Sequence, residues 1–414
     1  MVPNGWEQKP LKELLEKIID YRGQSVPKSE TGVPLITARN VRFGYLDFSS
    51  QEYVDESQFE AWMSRGIPSP GDILFTTEAP LGMACKYPDE GKYAVAQRTV
   101  TLRTNSHLDS EYLLYYLLSE RGQRLIDIRS SGSTAKGIKS AELKKVNVLY
   151  PTSLPEQQKI AKILTTWDKA IDTTERLIDN SKQQKKALMQ QLLTGKKRLL
   201  DDEGKQFEGE WEEVRLEDHL ESFQNGYAFK ASHYEETGIP IITMGNIGLD
   251  GKFNERLSKV NYWSYDKALE RYEVNNGDLL IAMTDVTPDK NLIGRMTIVT
   301  TDKTFYLNQR VGLIKPKPTL DKHFLRCLSN DVCWRRYSLA VSASGVQANM
   351  STKDIKNGTI KLPSFKEQQK IAAVLTNADK EIELLEQQLA DLQQEKKALM
   401  QVLLTGKKRV RIDG

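Results

Sequence analysis

The chain is written twice, and any fold proposed for it has to accommodate two like halves. Residues 185–198 read KKALMQQLLTGKKR and residues 396–409 read KKALMQVLLTGKKR, differing only at Gln191 against Val402. The match continues upstream, where EQQKIAKILTTWDKAID (156–172) faces EQQKIAAVLTNADKEIE (367–383) at the same offset of 211. Fainter echoes precede each copy: WEQKPLKELLE (6–16) and WEEVRLEDHLE (211–221), TGVPLITARN (31–40) and TGIPIITMGN (237–246), GDILF (71–75) and GDLLI (277–281), AQR (96–98) and NQR (308–310). Their offsets drift between 205 and 212, so loops differ in length; TTEAPLG (76–82) becomes MTDVTPDKNLIG (283–294). A repeat of about two hundred residues is a duplicated domain, not a solenoid unit. Near-identity in one segment beside divergence in the other fits one shared docking task and two different recognition tasks. Uneven drift after duplication is the plainer alternative.

Each near-identical segment carries a heptad seam. In the first copy Ile160, Leu164, Trp167, Ile171, Thr174, Ile178, Ser181, Lys185, Leu188 and Leu192 follow a 4-3-4-3 spacing. In the second, Ile371, Leu375, Ala378, Ile382, Leu385, Leu389, Leu392, Lys396, Leu399 and Leu403 repeat it. Such spacing predicts two long helices with a coiled-coil stripe. Each starts after a proline-bearing loop (Pro151 and Pro155; Pro363) and stops at a Thr-Gly pair (Gly195, Gly406). The basic residues beyond (Lys196, Lys197, Arg198; Lys407, Lys408, Arg409) suit the helix dipole. A helix of this length spans roughly 55–60 Å, so its flank needs a partner. Intrachain pairing of the two helices is the simpler expectation, and homodimerisation is the alternative.

The stretches in between read as α+β. Strands are expected at 34–41, 72–77, 94–103 and 144–151, and again at 239–247, 277–284, 295–300, 310–316 and 359–363. Helices are expected at 11–19, 111–127 and 322–340. Loops rich in Ser, Gly and Thr with basic or amide residues, RSSGSTAKGIKS (129–140) and SASGVQANMSTK (342–353), suit a phosphate backbone and base edges. The same composition also fits ordinary solvated turns.

Composition and motifs exclude several classes. With 414 residues the chain makes roughly two to four domains. Fifty-nine basic against 56 acidic residues give a net charge of +3, so any nucleic-acid contact has to rest on local patches. No apolar run is long enough to span a bilayer and no signal-type stretch opens the sequence, so a cytoplasmic protein with no membrane partner is expected. Three cysteines, Cys85, Cys327 and Cys333, read as reduced thiols, the last two as buried helix residues. The four histidines (His107, His219, His233, His323) lack zinc spacing. Phosphate-binding glycine loops, a nucleophile elbow and the Asp/Asn-Pro-Pro-aromatic run of base amino-methylation are all missing.

Taken together, DYRGQSVPK (20–28), TGVPLITARNV (31–41), GDILFTTEAPLG (71–82), AVAQR (94–98), GSTAKGIKSAELKKV (132–146) and PEQQKIAKIL (155–164), with their second-half counterparts, resemble the DNA-specificity (S) subunits of type I restriction–modification enzymes over nearly the full length. The resemblance implies two tandem target-recognition domains joined by two long helices packed as an antiparallel coiled coil, related by a pseudo-twofold axis. Residues 1–154 are then the first recognition domain and 155–195 the central helix. Residues 196–362 are the linker and second recognition domain, and 363–414 the C-terminal helix and tail. Each domain would read one half of an asymmetric bipartite site in double-stranded DNA, with half-sites roughly 34–36 Å apart. Two modification (methyltransferase) subunits would dock on the helices, and restriction subunits can join them. No cofactor is expected on this chain; S-adenosylmethionine, ATP and magnesium belong to the partners, and this chain is a non-catalytic subunit.

By position, the DNA-contact candidates of the first half are Arg22, Lys28, Arg39, Asn40, Thr77, Gln97, Arg98, Ser133, Thr134, Lys136 and Lys139. Those of the second are Asn225, Tyr227, Lys230, Asn246, Thr284, Lys290, Asn308, Gln309, Arg310, Gln347, Asn349 and Lys353. Gln97-Arg98 and Gln309-Arg310 end strand-like runs and equally suit buried ion pairs. Catalytic and metal residues are not expected. Two other readings compete: a coiled-coil scaffold indifferent to DNA sequence, and a stand-alone DNA-modifying enzyme.

Overall fold

In the computed structural model, which describes residues 2–132, 136–255, 259–342 and 348–412, the alternation of apolar side chains explains the layering. The chain forms two units, Met1–Arg176 with Gln387–Gly414, and Leu177–Glu386. Each therefore holds one variable stretch, one half of its own long helix and one half of the other.

The first unit contains β1 (Trp6–Pro10), β2 (Leu15–Asp20), β3 (Lys28–Ser29), β4 (Val33–Ile36), β5 (Glu52–Val54), β6 (Ile73–Thr76), β7 (Ala84–Lys86), β8 (Ala94–Val95), β9 (Thr99–Thr104) and β10 (Asn147–Pro151). Its helices are α1 (Phe59–Trp62), α2 (Ser110–Leu118), α3 (Glu120–Ile128), α4 (Ser140–Leu143) and the first part of α5 (Leu154–Leu192). An antiparallel sheet, β2-β9-β6-β7, lies at its centre. One face of that sheet (Ile73, Phe75, Val100, Leu102) packs on α2 and on Ile160 and Leu164 of α5. The other (Ile19, Leu74, Cys85) packs on a second sheet, β3-β5-β4-β8. A strand buried on both faces has to be apolar at every position, which is why ILF in GDILF does not alternate.

The second unit repeats the plan with β11 (Glu212–Arg215), β12 (Leu220–Asn225), β13 (Ile239–Ile242), β14 (Tyr262–Trp263), β15 (Glu273–Val274), β16 (Leu279–Ala282), β17 (Thr284–Asp285), β18 (Met296–Ile298), β19 (Phe305–Leu307), β20 (Val311–Pro316), β21 (Ala348–Asn349) and β22 (Thr359–Leu362). Its helices are the rest of α5, α6 (Lys322–Leu328), α7 (Val332–Val341), α8 (Thr352–Asn357) and the start of α9 (Phe365–Leu403). The central sheet is β12-β20-β16-β18 and the second is β14-β13-β19-β15. Leu279 and Ile281 face the helices, Leu280 and Ala282 the second sheet.

Both long helices have 39 residues. Every one of the twenty seam positions is buried or half-buried, Thr174, Ser181, Lys185 and Lys396 included. Within each unit the two helix halves run antiparallel. In the first, Glu156 pairs with Arg409 and Asp168 with Lys396. In the second, Lys182 pairs with Glu386, Lys185 with Asp379 and Arg198 with Glu367. The two seam lysines thus meet a carboxylate on the facing helix instead of solvent.

The tail arginines act differently from the dipole role expected of them. Arg198 grips Glu367 with two parallel bonds of 2.6 and 2.7 Å, and Arg409 grips Glu156 with the same pair of distances. Each guanidinium also reaches a carbonyl, of Gly209 at 2.9 Å and of Asn4 at 2.6 Å respectively. The chain can turn back toward these partners because Gly195 and Gly406 adopt left-handed φ values of 72° and 69°. The neighbouring glutamines do the same work on the globular side. Gln157 binds the carbonyls of His107 and Pro151 and the amide of Asp109; Gln368 binds those of Thr319 and Pro363 and the amide of Asp321. Asp109 and Asp321 in turn cap α2 and α6. The same locks are therefore made twice, which gives the shared Glu-Gln pair at each helix start and the shared Arg past each helix end an intrachain role.

Several expected elements differ. Residues 11–19 are not a helix but a short 3-10 turn, Leu11–Glu13, followed by β2. A bulge between Leu15 and Lys17 shifts the register, so the buried positions mimic a helical period. The run 34–41 stops at Ile36, and 94–103 splits into β8 and β9 around Ala96–Arg98. The helix expected at 111–127 breaks at Ser119, whose hydroxyl caps α3 through the Gly122 amide. The one at 322–340 breaks before the Asp331 cap of α7. Cys85 and Cys327 are buried, and burial pushes the Cys85 thiol up to about 12. Cys333 is exposed, because it lies on the outer face of α7's first turn.

Removing one member of a buried, bidentate ion pair leaves the other charge uncompensated. With Glu367 fully buried, Glu367→Ala is expected to cost about 3–5 kcal/mol in urea unfolding. The double variant Arg198→Met, Glu367→Met should recover much of that loss; equal losses in both would contradict the lock.

Candidate nucleic-acid interface

In the first unit the candidates gather where β2 and β6 end and β9 begins. Arg22 folds back on Asp20, with Nε 3.0 Å from Oδ1 and Nη2 2.6 Å from Oδ2, while Nη1 reaches the Ile138 carbonyl at 3.2 Å. Burial alone would raise the Asp20 pKa, but the bonds from Arg22 outweigh it and the carboxyl ends below its ordinary value. Thr77 is buried and spends its hydroxyl on the Arg98 carbonyl. Its own carbonyl takes the Ile138 amide at 2.9 Å, which ties the 129–140 loop to this end of the sheet. Lys136 pairs with Asp127, and Lys139 is exposed just before α4.

Lys28, Arg39, Gln97 and Arg98 line one cleft of about 460 Å³ with Thr37, Glu52 and Ala79. Lys28 pairs with Glu52 at 2.7 Å and Arg98 with Glu78 at 3.0 Å. Both pairs are well exposed, so each is weak and exchangeable for a phosphate. Arg39 is exposed, at the tip of a turn built by its neighbour. Neither Arg98 nor Arg310 is a buried ion-pair residue; both are exposed in the short breaks before β9 and β20.

In the second unit the corresponding sheet end carries different chemistry. Asn225 closes β12 and accepts a bond from the Thr352 hydroxyl at 3.0 Å. Gly226 follows because a Cβ there would lie 2.1 Å from the Asn308 carbonyl oxygen. Tyr227 is exposed and anchored on both sides: its amide binds the Leu307 carbonyl and its carbonyl the Gln309 amide. Its ring meets Phe229 edge-on at 4.9 Å and Tyr272 at 5.5 Å. Thr284 is buried and donates to Asn349 at 3.0 Å. Asn308 is buried and accepts the Arg310 amide. Gln309, Arg310, Lys230 and Lys353 are exposed, and Lys290 is half-exposed at a loop tip.

Two candidates take a structural role instead. Asn40 is 1% and Asn246 2% exposed. The Asn40 carboxamide oxygen accepts the Thr37 amide and hydroxyl while its nitrogen donates to the Asp47 and Ser50 carbonyls. Asn246 repeats this with Thr243 and the Asn254 carbonyl. Every polar atom of Asn40 is satisfied inside the fold, so it shapes the turn and cannot reach a base. Thr77 and Thr284 are held back by the same burial. Ser133, Thr134 and Gln347 lie outside the described residues. Among the described residues no group of three or more His, Cys, Asp or Glu could hold a metal, and no helix is long and apolar enough to cross a membrane.

Sequence reasoning did not single out the aromatic wall behind Tyr227, where Phe229 packs on Trp263 at 5.0 Å. It also missed the arginines that hold the longer 285–294 loop. The sequence signal for the loop was its extra length, 283–294 against 76–82; the aromatic wall and Arg335 lie outside that run.

Two α+β units, each ending in a variable polar edge and locked onto paired helices, define a duplicated recognition scaffold. The family model for the type I restriction modification DNA specificity domain matches residues 3–182 and 208–394, and the chain belongs to that family. It is 27% identical to the type I restriction enzyme MjaVIII specificity subunit of Methanocaldococcus jannaschii, over 99% of this chain and 94% of that one. It is 22% identical to the EcoKI specificity subunit of Escherichia coli K12, over 89% of this chain and 81% of that one. The fold is similar to the crystal structure of the type I restriction–modification S subunit from M. genitalium, with a TM-score of 0.58 and 14% identity, covering 100% of this chain and 99% of that one. It is also similar to a chain from a structural study of complex assembly and conformational transition of the type I system, with a TM-score of 0.56 and 17% identity, covering 99% and 100%.

The two classes of residue separate experimentally. Arg39→Ala should lower the slope of log affinity against log salt for duplex DNA by about one. Asn40→Ala should leave that slope unchanged and cost roughly 1–3 kcal/mol of stability through unpaired buried groups. A changed slope in Asn40→Ala with normal stability would reverse the assignment.

Proposed function

We propose that this chain is the DNA-recognition subunit of a type I restriction–modification complex, in which each unit reads one half of an asymmetric, two-part duplex site. The observation that carries this reading is the repeated sheet end. One scaffold presents the same Gln-Arg pair in both copies, Gln97-Arg98 and Gln309-Arg310, beside Lys28 and Arg39 in the first and beside Asn225 and Tyr227 in the second. Arginine and lysine suit guanine edges and phosphates, while asparagine and glutamine suit adenine. Two edges of unlike chemistry favour two unlike half-sequences. The paired helices set the interval between the half-sites and offer the docking surface for two modification subunits, which restriction subunits join. Chemistry sits on the partners: S-adenosylmethionine on the modification subunits, ATP and magnesium on the restriction subunits. A scaffold indifferent to sequence would have no use for two different, internally braced edges.

The test is a map of modified adenines after co-expression with the modification subunit in a host free of adenine methylation. One two-part motif with a fixed gap is the expected result. A stable complex that methylates without any motif would overturn the proposal.

A further inference from the structure

The loop from Asp285 to Gly294 is braced almost residue by residue. The Asp285 carboxylate accepts bonds from the Thr287 amide and hydroxyl, both at 2.8 Å, and from the Leu292 amide at 2.6 Å. Arg335 on α7 donates to the carbonyls of Ile293, Asn291 (3.1 Å) and Lys290 (3.2 Å). Arg295 donates to the Asn291 carbonyl and to Asn330. Trp334 holds the Gly294 carbonyl at 2.8 Å. Both arginines are half-buried, and among the described residues neither has a carboxylate at ion-pair distance. Burial, and then the neighbouring Arg295, push the Arg335 pKa down, yet a guanidinium remains charged at neutral pH. Two like charges are kept together here, with backbone carbonyls and the Asn330 carboxamide as their hydrogen-bond partners and Asp285 and Asp250 as opposing charges beyond ion-pair distance.

The outer side of this braced loop is free. Val286 through Asp289 are exposed, and Lys290 turns the chain with a φ of 49°. The loop leaves directly from Thr284 and Asp285, next to the Asn349 and Arg310 backbone, so it borders the candidate interface of its own unit. The first copy has seven residues (76–82) where the second has twelve (283–294). There a bond from Gln123 to the Gly82 carbonyl at 2.8 Å, the exposed Arg98–Glu78 pair and the Thr77 hydroxyl on the Arg98 carbonyl take the place of the arginine brace.

We infer that residues 286–291 form a specificity-determining finger of the second recognition domain, and that Arg335 is its positioning residue. This rests on the recognition reading above. A finger pre-shaped by the protein loses little conformational freedom when it meets a groove, so its exposed side chains discriminate between sequences instead of adapting to all of them.

The experiment uses the full chain in complex with its modification subunit and compares methylation maps. Arg335→Met should leave the first half-site intact and lower discrimination at one or more positions of the second by about tenfold, the scale of one mismatched pair. Arg335→Lys, whose ammonium keeps the charge but gathers its donors at one nitrogen and cannot span the three carbonyls as the guanidinium fork does, should fall on the same side. Val286→Ala with Thr287→Ala, Asp289→Ala and Lys290→Asn truncates the exposed side chains of the tip, keeps a residue tolerant of the left-handed turn, and should loosen the same half. If that tip variant keeps the wild-type motif, the inference is overturned even where Arg335→Met fails to fold. Equal loosening of both half-sites would reduce Arg335 to general stability and overturn it as well. A wild-type complex without any two-part motif would instead remove the recognition reading itself, before any variant is compared.

Discussion

A carboxylate buried at the start of each long helix, gripped by an arginine just past the end of the other, is the constraint on which the rest depends. Glu367 is 0% and Glu156 1% exposed as residues, so neither is tolerable as a lone charge. Their partners sit three residues beyond Gly195 and Gly406, and the left-handed glycines make the return possible. Because the first copy's glutamate takes the second copy's arginine and the reverse, neither copy closes its own lock. The seam supplies hydrophobic area, but heptads alone tolerate sliding by a turn. Two end locks and the Lys185–Asp379 and Lys396–Asp168 pairs fix one register and one direction.

From that frame the globular parts follow. Gln157 and Gln368 fasten the first residues of each long helix to the loops entering α2 and α6. Those helices cover one face of each central sheet, and a small second sheet covers the other. What is left uncovered is one end of the central sheet, where strands finish and loops begin. Variation concentrates there because it costs the core nothing. The first copy carries basic and amide groups around a cleft, and the second an anchored tyrosine, amides and a longer braced loop.

Much of this was legible in the sequence, for physical reasons. The duplication, the seam and the helix ends depend on local spacing, and spacing is what a sequence displays. The fully buried strands at 73–76 and 279–282 were legible as unbroken apolar runs. What the sequence hid involves partners distant along the chain. Arg198 and Arg409 looked like dipole-matching charges because their glutamates lie 169 and 253 residues away. Asn40 and Asn246 looked like base readers because an amide suited to an adenine edge is equally suited to a turn's carbonyls. The 11–19 segment looked helical because a bulge converts strand alternation into a three- and four-residue rhythm. Arg335 gave no local signal at all, since the loop it holds is more than forty residues upstream.

The central claim is that the two long helices lock together within one chain. A zero-length carbodiimide cross-linker tests it on two exposed pairs: Lys182–Glu386, at 2.7 Å, which joins the two long helices, and Lys397–Glu120, at 3.0 Å, which joins the end of α9 to α3 of the first unit. The measurement is mass spectrometry of cross-linked peptides from an equal mixture of nitrogen-15-labelled and unlabelled chains. The account predicts both linkages, each joining peptides of the same label. Mixed-label pairs would place the locks between two chains, and absence of both linkages from an otherwise cross-linked protein would contradict the register itself.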